Sequence, residues 1–91
     1  MNTTIEVNLE PILDIRHVEK LHNALDAALA EKKSVLLLAD KVEKIDTAAM
    51  QILLSFIQQA KKQSIGVTWN TPSKVLYDYA QLLGIHQALQ L

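Results

Sequence analysis

Val35-Leu36-Leu37-Leu38-Ala39 is an unbroken apolar run, and it restricts the fold more than any other part of the chain. It is too short for a typical helix, and a strand without polar alternation reads as the centre of a sheet covered on both faces. The segment before it has a different period. Val18, Leu21, Leu25, Ala28 and Leu29 recur at steps of three and four, and Glu19, Lys20, Asn23, Asp26 and Glu31 take the opposite side. A helix from about Arg16, capped by Asp14 and closed by Lys32-Lys33, therefore runs straight into a central parallel strand.

The same alternation of periods extends along the chain. Ile5, Val7 and Leu9 alternate with Glu6 and Asn8 as in a half-buried strand, and Pro11 predicts a bend. Ile12, Leu13 and Ile15 form a second short strand or lead directly into the first helix. Asp40 to Asp46 is a polar connection. A second helix is predicted from Thr47 to Gln63, with Ala49, Leu53, Phe56 and Ala60 as its stripe, Ile52 and Ile57 widening it, and Met50 and Leu54 on its flank. Ile65, Val67 and Trp69 mark another strand. Asn70-Thr71-Pro72-Ser73 opens a third helix carrying Leu76, Tyr79, Ala80 and Leu83, and Gly84 stops it. Leu89 and Leu91 dock back from a short tail. Strands alternating with helices imply an α/β layer fold with right-handed crossovers, whose functional loops gather at the C-terminal ends of the parallel strands. The Asp40–Asp46 loop is at such an end.

Ninety-one residues make a single domain, 1–91, able to bury roughly 60–65% of its unfolded surface. A net charge of −1 with interspersed signs argues against nucleic-acid binding, and the absence of cysteine excludes disulfides and thiolate chemistry. Met1-Asn2-Thr3-Thr4 lacks the basic start of a signal peptide, and no apolar stretch reaches the ~18–20 residues of a membrane span. The chain reads as soluble and cytoplasmic, without direct membrane insertion. Monomer and homodimer are both open.

Enzyme chemistry finds little footing. His17, His22 and His86 show no metal-ligand pattern with acidic neighbours, Gly66 and Gly84 are isolated, and no serine has a nucleophile-elbow context. An aspartyl-phosphate receiver needs paired acids at strand ends to hold Mg²⁺, and only Asp40 stands in such a place. No enzyme activity, cofactor or metal is expected.

Asp46-Thr47 is the remaining candidate. Either residue can cap the second helix, a contribution of about 1 kcal/mol. A hydroxyl there also lies among unpaired backbone N–H groups at the positive end of the helix dipole, where a phosphate is accommodated. Met50 and Leu54 are read as core or, if exposed beside Thr47, as an adaptable contact patch. Core packing is the default for Tyr77, Tyr79 and Trp69.

Taken in order, Pro11-Ile12-Leu13-Asp14, Val35 to Ala39, Val42, Ile45-Asp46-Thr47-Ala48-Ala49-Met50, Asn70-Thr71-Pro72-Ser73 and Leu83-Gly84-Ile85 resemble the segments of the STAS domain, the fold of bacterial anti-sigma factor antagonists. The resemblance covers essentially the whole chain. It implies a central, mostly parallel sheet with an antiparallel N-terminal edge, packed by three amphipathic helices. It also implies a non-enzymatic interaction module that binds an anti-sigma or kinase-type regulator and is released by phosphorylation. Thr47 occupies the position of the family's phosphorylated Ser or Thr, with Lys44, Asp46, Ala48, Met50, Gln51 and Leu54 as partner-contact neighbours. Ala48 replaces the second Ser of the signature and Ala49 its Gly. An Asp-Thr pair followed by small residues is similar, too, to the STAS subunit of Mla-type phospholipid-transport ABC complexes, which implies the ATPase subunit as the alternative partner.

Overall fold

The computed structural model describes residues 4–91. Met1-Asn2-Thr3, read above for want of a secretory signal, lie outside them. The first strand, β1 (Thr4–Asn8), is followed by a two-residue strand β2 (Ile12–Leu13), a 3₁₀ turn (Ile15–His17) and helix α1 (Val18–Ala30). Strand β3 (Ser34–Leu38), a second two-residue strand β4 (Lys44–Ile45) and helix α2 (Thr47–Lys62) come next, then β5 (Val67–Asn70) and α3 (Lys74–Leu82).

β1, β3 and β5 form a parallel sheet in that order, so the apolar run is the central strand. Val7, Leu37 and Trp69 are register partners, and so are Glu6, Leu36 and Thr68 on the opposite face. Because the three strands follow one another in both sequence and space, right-handed crossovers put α1 and α2 on the same face, where they pack on each other. Val7, Val35, Leu37 and Val67 are buried beneath them with Leu25, Leu53 and Ile57. The other face is less covered than an all-apolar strand suggests: Leu36 and Leu38 are only half-buried, and Glu6, Asn8, Thr68 and Asn70 are exposed.

A second, two-stranded parallel sheet pairs β2 with β4. Its existence corrects two expectations. Lys44-Ile45, read as part of a polar connection, is a strand. The N-terminal edge is not antiparallel: among the described residues every strand pair is parallel. The cause is local. Pro11 has no N–H for a ladder with β1, and its carbonyl accepts from Glu43 N and Lys44 N at 2.8 and 3.1 Å. The chain is thereby drawn beside β4 instead of folding back on β1.

Helix ends follow backbone chemistry. Gly84, at φ 73°, lets Ile85 N reach Ala80 O and Gly84 N reach Gln81 O, closing α3 with a Schellman motif. The tail then returns to the core: Leu89 is fully buried and its carbonyl accepts from Trp69 Nε1 at 2.7 Å.

Asp14 is buried at the start of the 3₁₀ turn, where its carboxylate accepts from Arg16 Nε, Arg16 Nη2 and Arg16 N and lies 2.8 Å from His17 Nδ1. The Arg16 side chain, and after it His17, holds the Asp14 carboxyl well below the usual carboxylate range. A carboxyl whose pKa falls on folding binds fewer protons in the native state. Its stabilisation is fully present above its ordinary pKa and is lost as pH drops toward the folded value. Asp14→Asn should therefore lower the urea midpoint at neutral pH. The gap to wild type should narrow as pH falls from about 5 toward about 2. A gap unchanged over that range would mean the Asp14 charge contributes nothing.

Candidate functional site

Two backbone hydrogen bonds and one buried side chain hold the start of α2 in place. Asp46 N donates to Leu13 O at 3.1 Å, continuing the β2–β4 ladder to the helix boundary. Ser73 N donates to Ala39 O at 3.0 Å, so the ends of β3 and of the loop before α3 are tied together. Val42 is buried within the intervening loop. The Asp40–Asp46 segment is thus a folded support.

Asp46 is the cap. Its backbone is extended (φ −112°, ψ 177°) and its Oδ1 accepts from Ala49 N at 3.1 Å. Asp46→Ala should cost about 1 kcal/mol, lowering the melting temperature by roughly 4–8 °C. Thermal unfolding followed by circular dichroism measures it, and an unshifted melt would show that water replaces the cap without loss.

With the cap assigned to Asp46, Thr47 is the first helical residue, and its hydroxyl is spared that role. The side chain is exposed, and Oγ1 lies 2.7 Å from the Tyr79 hydroxyl on α3. Tyr79 is half-buried on a helix whose Leu76 and Ala80 are fully buried. Sequence reasoning assigned Tyr79 to core packing and missed this contact. The only signal in the sequence was the amphipathic nature of tyrosine, whose hydroxyl needs a polar partner when the ring is packed.

The other expected neighbours separate. Gln51 is exposed and Leu54 half-buried, and both share the Thr47 face of α2 at one- and two-turn spacing. Lys44 is exposed on β4, and Ala48 is half-buried beside Thr47. Met50 is 0% exposed, which corrects its assignment to the contact surface. It aligns with Leu53 and Ile57 on the buried side of the helix, so the broad apolar arc noted in the sequence faces inward. On α3, Val75 and Leu82 are 44% and 79% exposed and fall on the same helical stripe as Tyr79.

Other features lie elsewhere. A cleft of about 490 Å³ runs between α1 and α2 past His22, Leu29, Ile52 and Gln59, and Thr47 does not line it. His22 faces Asp26 at 3.4 Å, and His17 is engaged with Asp14. Among the described residues no cluster of three metal-ligating side chains occurs, and no helix is long and apolar enough to cross a membrane.

The parallel sheet and the three helices are what the sequence resemblance implied, apart from the antiparallel edge. A family model described as "Mlab, STAS domain" matches residues 2–91. The chain belongs to the STAS family. None of the curated proteins matches it. The small α/β architecture with three helices and a mostly parallel sheet is that of a STAS domain, and a STAS domain is in general a non-enzymatic regulatory or interaction module.

Proposed function

We propose that this STAS domain is a partner-switching module. Unmodified, it binds an anti-sigma or serine/threonine-kinase-type regulatory protein through the surface around Thr47, and a phosphate on Thr47 Oγ1 ends the complex. The observation that carries the reading is the division of labour at the start of α2: Asp46 caps the helix, so the Thr47 hydroxyl stands exposed with no structural task on its own helix. A dianion added there is costly to desolvate inside a packed interface. In the free domain the backbone N–H groups of the first turn and the positive end of the helix dipole offset part of its charge. Lys44, Ala48, Gln51 and Leu54 are the remaining contact residues of this surface, and Asp46 supports it from within.

A second reading has its own support, because the family description names Mlab. In it the domain is an accessory subunit of a phospholipid-transport ABC complex, the same surface contacts the ATPase subunit, and Thr47 is a permanent part of that interface. Affinity capture from native soluble and membrane extracts separates the two, with mass spectrometry of the partners and of the Thr47 peptide. A kinase-like or sigma-regulatory partner, with a phosphorylated Thr47 pool that fails to capture it, supports switching. A transport ATPase bound to a chain whose Thr47 is never modified supports the accessory role and removes the switch.

A further inference from the structure

The 2.7 Å contact between Thr47 Oγ1 and the Tyr79 hydroxyl joins the first residue of α2 to the middle of α3, 32 positions along the chain. Neither hydroxyl is occupied by a cap, since Asp46 caps α2 and Ser73 Oγ caps α3 through Leu76 N at 3.2 Å. α3 is short, nine residues, and only Leu76 and Ala80 of it are buried. The Tyr79 hydroxyl ties the outer face of this helix, which packs against β4, to the start of α2. That face carries exposed Val75 and Leu82.

We infer that Tyr79 is a positioning residue for Thr47, a latch that orients the unmodified hydroxyl and passes its modification on to α3. The inference rests on the reading of Thr47 as the modified residue. In the transfer from a nucleoside triphosphate held by a protein kinase, the bond between the terminal phosphorus and its bridging oxygen breaks. A bond from that phosphorus to Thr47 Oγ1 forms, the hydroxyl proton passes to the kinase's base, and the nucleoside diphosphate leaves. Oγ1 is then an ester oxygen with no proton to donate, and the phosphoryl group crowds the space where Tyr79 meets it. Tyr79 can then keep a bond to this group only as the donor and from a displaced position, and the Val75–Tyr79–Leu82 stripe shifts with it. Phosphate thus places charge at the start of α2 and loosens α3 from one attachment point, the charge being what ends the complex.

The test uses the full chain with phosphothreonine built in at position 47, the unmodified chain, and Tyr79→Phe in both forms. Hydrogen exchange of the α3 amides is read by mass spectrometry. Phosphate should raise exchange over residues 74–82 about fivefold, the effect of one lost hydrogen bond. Unmodified Tyr79→Phe should show the same increase, and phosphate on Tyr79→Phe should add little. Thr47→Val, which removes the other hydroxyl, serves if Tyr79→Phe unfolds, and should reproduce the increase without phosphate. Unchanged exchange on phosphorylation overturns the latch, as does an equal rise with and without the Tyr79 hydroxyl. Partner capture by the phosphorylated chain keeps the two readings apart. Partner loss with unchanged α3 exchange overturns the latch alone, and partner retention with loosened α3 overturns the switch alone.

Discussion

Thr47→Glu should weaken binding of the captured partner about 100-fold, while Thr47→Ala stays within about threefold of wild type. The glutamate places an unpaired carboxylate where the interface has to exclude water, and an uncompensated charge in such a place costs several kcal/mol. Thr47→Gln separates charge from bulk, because it has nearly the same volume and no charge. Calorimetric titration of each variant with the purified partner gives the comparison. Weak binding by Glu with near-normal binding by Gln assigns the effect to charge. Equal weakening by both assigns it to size, and wild-type binding by all variants takes Thr47 out of the interface. Circular dichroism of the same samples guards against misfolding, since Thr47→Ala also removes the bond to Tyr79.

Leu53→Ala should be the most damaging of these substitutions to the fold. Leu53 is 0% exposed at the middle of α2, within the core formed by the helices and the sheet. Removing its side chain loses transfer free energy and leaves a cavity that a close-packed interior refills only in part, a cost of about 3 kcal/mol. For a domain of this size that lowers the melting temperature by roughly 15 °C. Leu82→Ala is the matched control: at 79% exposed, the same chemical change should stay within about 0.5 kcal/mol. If both variants melt together, the core is not where the structure puts it. The pair also protects the binding experiment, because Leu82 lies on the α3 stripe and can be changed without unfolding the domain.

How much of this was legible in the residues depended on whether the signal was periodic. α1, α2 and α3 announce themselves by apolar steps of three and four, and β3 by continuous hydrophobicity, because burial of one face leaves a regular imprint on the chain. The four-residue run Asn70-Thr71-Pro72-Ser73 and Gly84 marked both ends of α3 for local reasons, a capping hydroxyl and a left-handed residue. β2 and β4 left no such imprint. Two residues are too few for a period, and their pairing depends on where the Pro11 carbonyl points.

At the candidate site, the sequence by itself determined that an Asp-Thr pair begins a helix at the end of a central strand's loop, since helix period and capping preference act within a few residues. Asp46 proves to be the cap, through a contact only three residues away. Only the tertiary structure decided that Met50 is buried while Gln51 is exposed, and that Tyr79 rests on Thr47. These outcomes turn on how α2 is rotated against the sheet and where α3 returns across it. Such placements arise from the packing of distant segments on one another, for which local sequence carries no energetic preference.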